Sequence, residues 1–376
     1  MKILNILVIC FLVLTQNVFS QTQVRKKFTV QGTINSDTGT VKLIMLADSS
    51  FYRHPIMLSS KVENGRFTFN GLIDEPQGVL LRFENRYESA MFLITSGHQS
   101  IKVDTRLPGK PPEVKDYVYQ DEINDYTASR IHFTRDNDLF RRQWDSLDKV
   151  YNRQIPSEIK LKLERRRSNL YARSDSLLLA HVIRHPDSYL GLWKLINLAS
   201  FSGYEKVFDA IFNNFSPKLK QSYPGTKLAE MLRVSRSASL GKVFQLSNFF
   251  DRQSKQIDTR FFSKNRFTLI DFWYSNCSPC IAQFPELKEI YGEFSEKSFQ
   301  ILGISTDKNQ YVPQWEKVIE MHSLTWPQYR DPGGLEASKI GINAFPTNFL
   351  VNERGIVVAK NISLIELKDL LKRELN

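Results

Sequence analysis

Cysteine is scarce in this chain: Cys10, Cys277 and Cys280 are the only three among 376 residues. So few thiols exclude a disulfide-stapled scaffold and a four-thiolate zinc site. Long apolar runs are equally scarce. The longest, Ile3 to Leu14, falls short of the ~20 residues that cross a bilayer. Histidine is sparse too, with six residues. His54 and His98 stand alone, His132, His181 and His185 compose no recognisable site, and His322 reads as a helix-surface residue, so no metal or other cofactor is expected. Acidic residues are outnumbered, 40 against 51 basic, for a net charge of +11, but the surplus is spread along the chain and smallest beyond residue 235. The densest basic run, Arg165-Arg166-Arg167, lacks interleaved aromatics and reads as a solvated helix face. Nucleic acid is not an expected partner.

The first twenty residues carry Lys2, the short apolar run, polar Thr15-Gln16-Asn17 and a cut after Val18-Phe19-Ser20. This is the pattern of a cleaved secretory signal, with an uncleaved anchor as the alternative and membrane contact expected only in that case. Cys10 does not read as a lipoprotein cysteine, because bulky Ile9 precedes it and little apolar sequence lies upstream. Export, with the periplasm as the expected destination, places the rest of the chain in an oxidising compartment.

The length calls for two or three cores. Residues 21–106 show short alternating segments such as Arg66-Phe67-Thr68-Phe69 after the turn pair Asn64-Gly65, which predicts a small antiparallel β domain. Leu107-Pro108-Gly109-Lys110-Pro111-Pro112 reads as a linker. From 113 to 239 the period becomes helical: Phe140, Trp144, Leu147 and Tyr151 recur at three- and four-residue steps, as do Leu178 and Val182. Those stripes predict helix-to-helix packing, and His185-Pro186-Asp187-Ser188 supplies a break and a cap. From 240 to 376 strand and helix alternate, with a strand over Thr268–Tyr274 and one helix from Cys277 to about Phe294. A second strand over Ser298–Ser305, a hairpin around Asn352–Gly355 and a terminal helix follow. That order predicts an α/β domain with a central mixed sheet flanked by helices.

Cys277-Ser278-Pro279-Cys280 follows the first strong strand of this last region. Two intervening residues let the sulfurs close a small disulfide, and a helix start offers free N–H groups that favour a thiolate at Cys277. A bridge closing so small a loop constrains little chain, so a redox couple is favoured over a staple.

With those residues in place, the segment from about Gly241 onward resembles the exported TlpA/ResA-type thioredoxin-like thiol-disulfide oxidoreductases. The resemblance lies in Leu269-Ile270-Asp271-Phe272-Trp273, the Cys277–Cys280 motif, Phe284-Pro285-Glu286-Leu287, Gly303-Ile304-Ser305-Thr306-Asp307 and Phe345-Pro346-Thr347-Asn348-Phe349-Leu350-Val351. It implies Cys277 as nucleophile, Cys280 as resolving cysteine, and Pro346 as a cis proline facing their redox disulfide. It further implies Asp271 as a buried carboxylate serving Cys280, with Phe345, Trp273 and Asn276 flanking the bound client. Two positions depart from the family pattern. Asn276 stands where many relatives have tryptophan, and Gln283 where this branch commonly has glutamate, which leaves Asp271 as the single carboxylate.

The expected activity is therefore reduction of protein disulfides in the cell envelope by dithiol exchange, recharged by an upstream electron donor or acceptor that the sequence does not identify. Two alternatives stay open at this level. One is a peroxiredoxin-like peroxidase on the same sheet. The other is a protein without turnover, holding a soft metal such as copper on the two thiolates or acting as an envelope interaction module.

Overall fold

The computed structural model describes residues 25–46, 56–84, 87–152, 155–246 and 248–375. The expected signal segment, Cys10 and His54 lie outside them. No helix among the described residues is long and apolar enough to cross a membrane.

The first sheet contains β1 (Lys26–Ile34), β2 (Thr38–Met45), β3 (Ile56–Glu63), β4 (Arg66–Ile73), β5 (Gln77–Phe83), β6 (Tyr87–Glu88), β7 (Phe92–Ile94), β8 (Gly97–Val103) and β9 (Glu113–Val114). Its order is β6-β5-β2-β3-β4-β1-β8-β9, with β7 also on β5, and all pairs are antiparallel except β1 with β8. Alternation builds it: Phe28 and Val30 of β1 and Phe67 and Phe69 of β4 point into one core. Gly32 lies opposite Phe67, and its missing side chain leaves the space that the Phe67 ring fills, since a Cβ there would lie 1.9 Å from the ring. The proline-rich stretch at 107–112 is bound to this sheet. Gly109 N–H donates to the Glu88 carbonyl at 2.8 Å, the Lys110 carbonyl accepts from Ala90 at 3.1 Å, and β9 then pairs back onto β8.

The helices that follow are α1 (Gln120–Ser129), α2 (Ile131–Val150), α3 (Ser157–Arg184), α4 (Tyr189–Ser202), α5 (Lys206–Asn213), α6 (Pro217–Gln221) and α7 (Tyr223–Arg236). Ser188 caps α4, its hydroxyl accepting from Gly191 N–H at 2.7 Å. α4 buries Leu190, Leu192, Trp193, Leu195 and Ile196, so it sits at the middle of the helical region. Trp193 also joins that region to the first sheet. Its indole N–H donates to the Pro76 carbonyl at 2.9 Å, and its ring lies where a Cβ on Gly78 would fall. The 28-residue α3 packs Leu163 and Leu170 against Phe133 and Phe140 of α2. Each residue of the basic run has a local or cross-domain partner: Arg165 with Asp369, Arg166 with Gln143 and Arg167 with Glu164.

The last region holds a five-stranded sheet of β10 (Phe267–Trp273), β11 (Phe299–Ser305), β12 (Gln328–Arg330), β13 (Thr347–Asn352) and β14 (Val357–Lys360), in the order β12-β11-β10-β13-β14. β10, β11 and β12 are parallel, whereas β13 and β14 run antiparallel to their neighbours. Its helices are α8 (Ser278–Ile281), α9 (Phe284–Phe294), α10 (Val312–Met321), α11 (Leu335–Lys339) and α12 (Leu364–Leu375). α9, α10 and α12 cover one face of the sheet. α11 and the segment from Ala238 to Phe262 cover the other. This is the thioredoxin-like arrangement, and β10, buried at all seven positions, is its central strand.

One local expectation is corrected. The single helix from Cys277 is two, because Pro285 has no N–H to continue the ladder and α9 starts anew around it. Short, polar β12 is a strand through its pairing with β11.

Truncating Trp193 to Ala removes a fully buried indole and leaves the Pro76 carbonyl without its donor. The expected loss is about 3–5 kcal/mol, measured as a lower denaturant midpoint for the oxidised protein.

Candidate active site

β10 and β11 end side by side, Trp273 opposite Ser305, and the site is built on those two carboxyl ends. The chain leaves β10 through Tyr274-Ser275-Asn276 and enters α8 at Cys277. Asp307, just beyond β11, holds that exit. Its carboxylate accepts from Ser275 N–H at 2.8 Å, from Ser275 Oγ at 2.8 Å and from Ser305 Oγ at 2.7 Å. Thr306 N–H adds a bond to the Trp273 carbonyl at 2.9 Å. Ser275, Ser305 and Asp307 are all buried, so these bonds work away from competing water.

Cys277 and Cys280 form a disulfide with their Cα atoms 5.2 Å apart. Both are 1% exposed, while Asn276, Ser278 and Pro279 between and beside them are exposed. Cys277 is the N-cap of α8, and its sulfur accepts from Cys280 N–H at 3.3 Å. Since α8 has only four residues, the local N–H, and not a long helix dipole, is the main electrostatic support for negative charge on that sulfur.

The Phe345–Pro346 bond is cis. The antiparallel register pairs Phe272 with Thr347, so Pro346 stands at the level where β10 passes into the cysteine loop. The Phe345 ring meets Tyr274 edge-on at 5.4 Å between centroids, which ties the proline loop to the cysteine loop. Both Phe345 and Pro346 are half-buried. Trp273 is placed differently from a client-flanking residue. It is 1% exposed and packs edge-to-face on Phe284 at 5.3 Å, behind the disulfide.

Asp271 lies on the same face of β10 as Leu269 and Trp273, which share a core with both cysteines. It is 3% exposed, and burial pushes its carboxyl up to about 7 from an ordinary 3.8. Gln283 stands between α8 and α9, its N–H bonded to the Cys280 carbonyl at 3.0 Å.

Sequence reasoning missed Asp307. The stretch Gly303-Ile304-Ser305-Thr306-Asp307 was noted only for its likeness to a family. Its physical signal was a carboxylate directly after an apolar parallel strand, where it faces the exit loop of the neighbouring strand.

Replacing Asp307 with Ala leaves the buried Ser275 N–H without its acceptor, and the oxidised protein is expected to lose about 2–4 kcal/mol in denaturant unfolding. Asp271 gives a pH signature. Its folded pKa is raised, so the folded state binds the extra proton; the associated stability is full below about 3.8 and disappears as pH rises through about 7. The fall amounts to up to about 4 kcal/mol, and Asp271→Asn is expected to flatten it in unfolding curves recorded from pH 4 to 8.

The AhpC/TSA family profile matches residues 241–360, and a domain of unknown function, DUF4369, matches residues 28–120. Among curated proteins, the thiol-disulfide oxidoreductase ResA of Halalkalibacterium halodurans is 28% identical over 89 residues, which cover 24% of this chain and 49% of that protein. The sporulation thiol-disulfide oxidoreductase A of Bacillus subtilis is 30% identical over 96 residues, 25% of this chain and 57% of that protein. The chain thus spans roughly half of the curated relatives it matches. A solved thioredoxin domain of a thiol-disulfide oxidoreductase from Bacteroides vulgatus is 26% identical, with a TM-score of 0.34, over 37% of this chain and 99% of that one. The fold built around β10, with the cysteine pair at its end, is thioredoxin-like; residues 241–360 match the AhpC/TSA family, and part of the chain is similar in sequence to the ResA-type thiol-disulfide oxidoreductases.

Proposed function

We propose that the protein is an exported thiol-disulfide oxidoreductase that reduces protein disulfides in the cell envelope by dithiol exchange. The observation that carries this reading is the closed Cys277–Cys280 pair at the end of β10, locked by the Asp307 clamp and flanked by Phe345–Pro346.

In the reduced protein, the Cys277 thiolate attacks one sulfur of a client disulfide. A Cys277–client bond forms, and the other client sulfur leaves with the electron pair and takes up a proton. Cys280, having given up its proton, attacks the Cys277 sulfur, closes the pair and releases the second client thiol. Two electrons pass from the pair to the client, so a dithiol reductant of the envelope must recharge the enzyme. Asp271, a carboxyl raised to about 7 on the cysteine face, is the acceptor for the Cys280 proton in this scheme. Asn276, Phe345 and Pro346 offer the client its contacts, with Trp273 packed beneath them.

The AhpC/TSA family also takes in peroxidases, which makes peroxide reduction the second reading. The spacing of two residues between the cysteines favours exchange with disulfides over an isolated peroxidatic thiol.

Cys277→Ser is expected to abolish insulin-disulfide reduction, and Cys280→Ser to accumulate mixed disulfides with envelope proteins that resolve on adding a thiol. Full reductase activity in Cys277→Ser would sink the mechanism. Peroxide consumption by the reduced protein faster than its disulfide exchange would move the assignment to the peroxidase.

A further inference from the structure

The helical region gathers four groups that the chemistry of the C-terminal domain does not use. Glu122 and Asp125 lie on α1, His181 in the last turn of α3, and His185 directly after that helix. His181 and His185, four residues apart, share a helix face, and their ring centroids lie 4.8 Å apart with the planes tilted by 33°. Asp125 Oδ2 is 3.2 Å from His185 Nε2 and 3.9 Å from His181 Nδ1, and one ligand atom from each of the three residues lies within 4.8 Å of the others.

The decisive group is His181. It is completely buried, its Nε2 lies 2.9 Å from Glu122 Oε1, and its Nδ1 has no hydrogen-bond partner. Glu122 Oε1 and Ser188 Oγ both lie within hydrogen-bond reach of Nε2, at 2.9 and 3.3 Å, so that nitrogen is engaged while Nδ1, turned toward Asp125, is not. A buried ring nitrogen without a partner is costly unless something meets it.

We propose that Asp125, His181 and His185 bind one divalent ion of the zinc class through Oδ2, Nδ1 and Nε2, with water in the fourth position. Two imidazoles and one carboxylate are a donor set that such ions accept. Bonds near 2.0–2.2 Å set ligand atoms ~3.3 Å apart, so the Asp125–His181 pair closes by about half an ångström on binding, and the widest pair, within 4.8 Å, by up to about 1.5 Å. Half-exposed Asp125 and His185 can supply that movement. Glu122 acts behind the ion, orienting His181 through the ring nitrogen that does not ligate. Arg184, 3.2 Å from the same Asp125 oxygen, is the opposing charge and must swing away. The ion would tie α1 to the corner between α3 and α4, where Ser188 both caps α4 and bonds to Glu122.

The test uses the full chain with its disulfide closed, purified without a polyhistidine tag and stripped of metal. Zn2+ is titrated calorimetrically, and Co2+ is followed by its visible absorption. One ion per chain is expected, with a visible Co2+ band and a higher unfolding temperature in Zn2+. His185→Ala and Asp125→Asn alter half-exposed side chains, and circular dichroism checks that they fold. Each is expected to weaken binding at least tenfold and erase the band, whereas the Cys277→Ser/Cys280→Ser double variant keeps both. Absence of saturable binding, binding unchanged in His185→Ala and Asp125→Asn, or loss of binding in the cysteine variant would each overturn the site.

Discussion

The carboxylate of Asp307 fixes where the redox pair stands, because it takes three hydrogen bonds from two serines that come from different strand ends. A loop that leaves a buried strand has backbone donors with no strand partner, and each must find one or be paid for in stability. Here Ser275 N–H, two residues before Cys277, finds the neighbouring strand's aspartate. The start of α8, the Cys277 sulfur and the edge contact between Tyr274 and Phe345 all follow from that anchoring.

The strand and the cysteine spacing were readable in the residues themselves. That Asp271 is a buried carboxylate and that Phe345-Pro346 faces the cysteines were implied by the family resemblance alone; burial of the strand accounts for the raised pKa of Asp271. What stayed hidden has a physical reason in each case. β12 is polar and three residues long, so only its neighbour makes it a strand. Asp307 acts across a gap of 32 positions, which no periodicity records. His181 and His185 looked unremarkable because their carboxylate partners sit on a different helix, 59 and 60 positions away.

The three regions are joined by contacts of unequal strength. Trp193 couples the helical region to the first sheet by a buried ring and a hydrogen bond. The links from α3 to the thioredoxin-like domain, Lys160 with Glu286 at 3.0 Å and Arg165 with Asp369 at 3.8 Å, are partly exposed ion pairs of small individual worth. The first two regions therefore share a core. The last domain adds closer contacts to those ion pairs: Lys360 lies against Gly203, Ser235 against Gly341, and the Asn361 amide donates to the Ser202 carbonyl at 3.4 Å.

Neither sulfur of the closed pair reaches solvent to any useful extent, although the residues around them do. Thiol exchange needs the incoming sulfur in line with the bond it breaks, so a partner must first part the rim formed by Asn276, Ser278 and Pro279. A small free thiol brings no binding energy for that work. Under the proposed dithiol exchange a protein lying along the rim would supply it, and the pair would select by shape before its reduction potential enters.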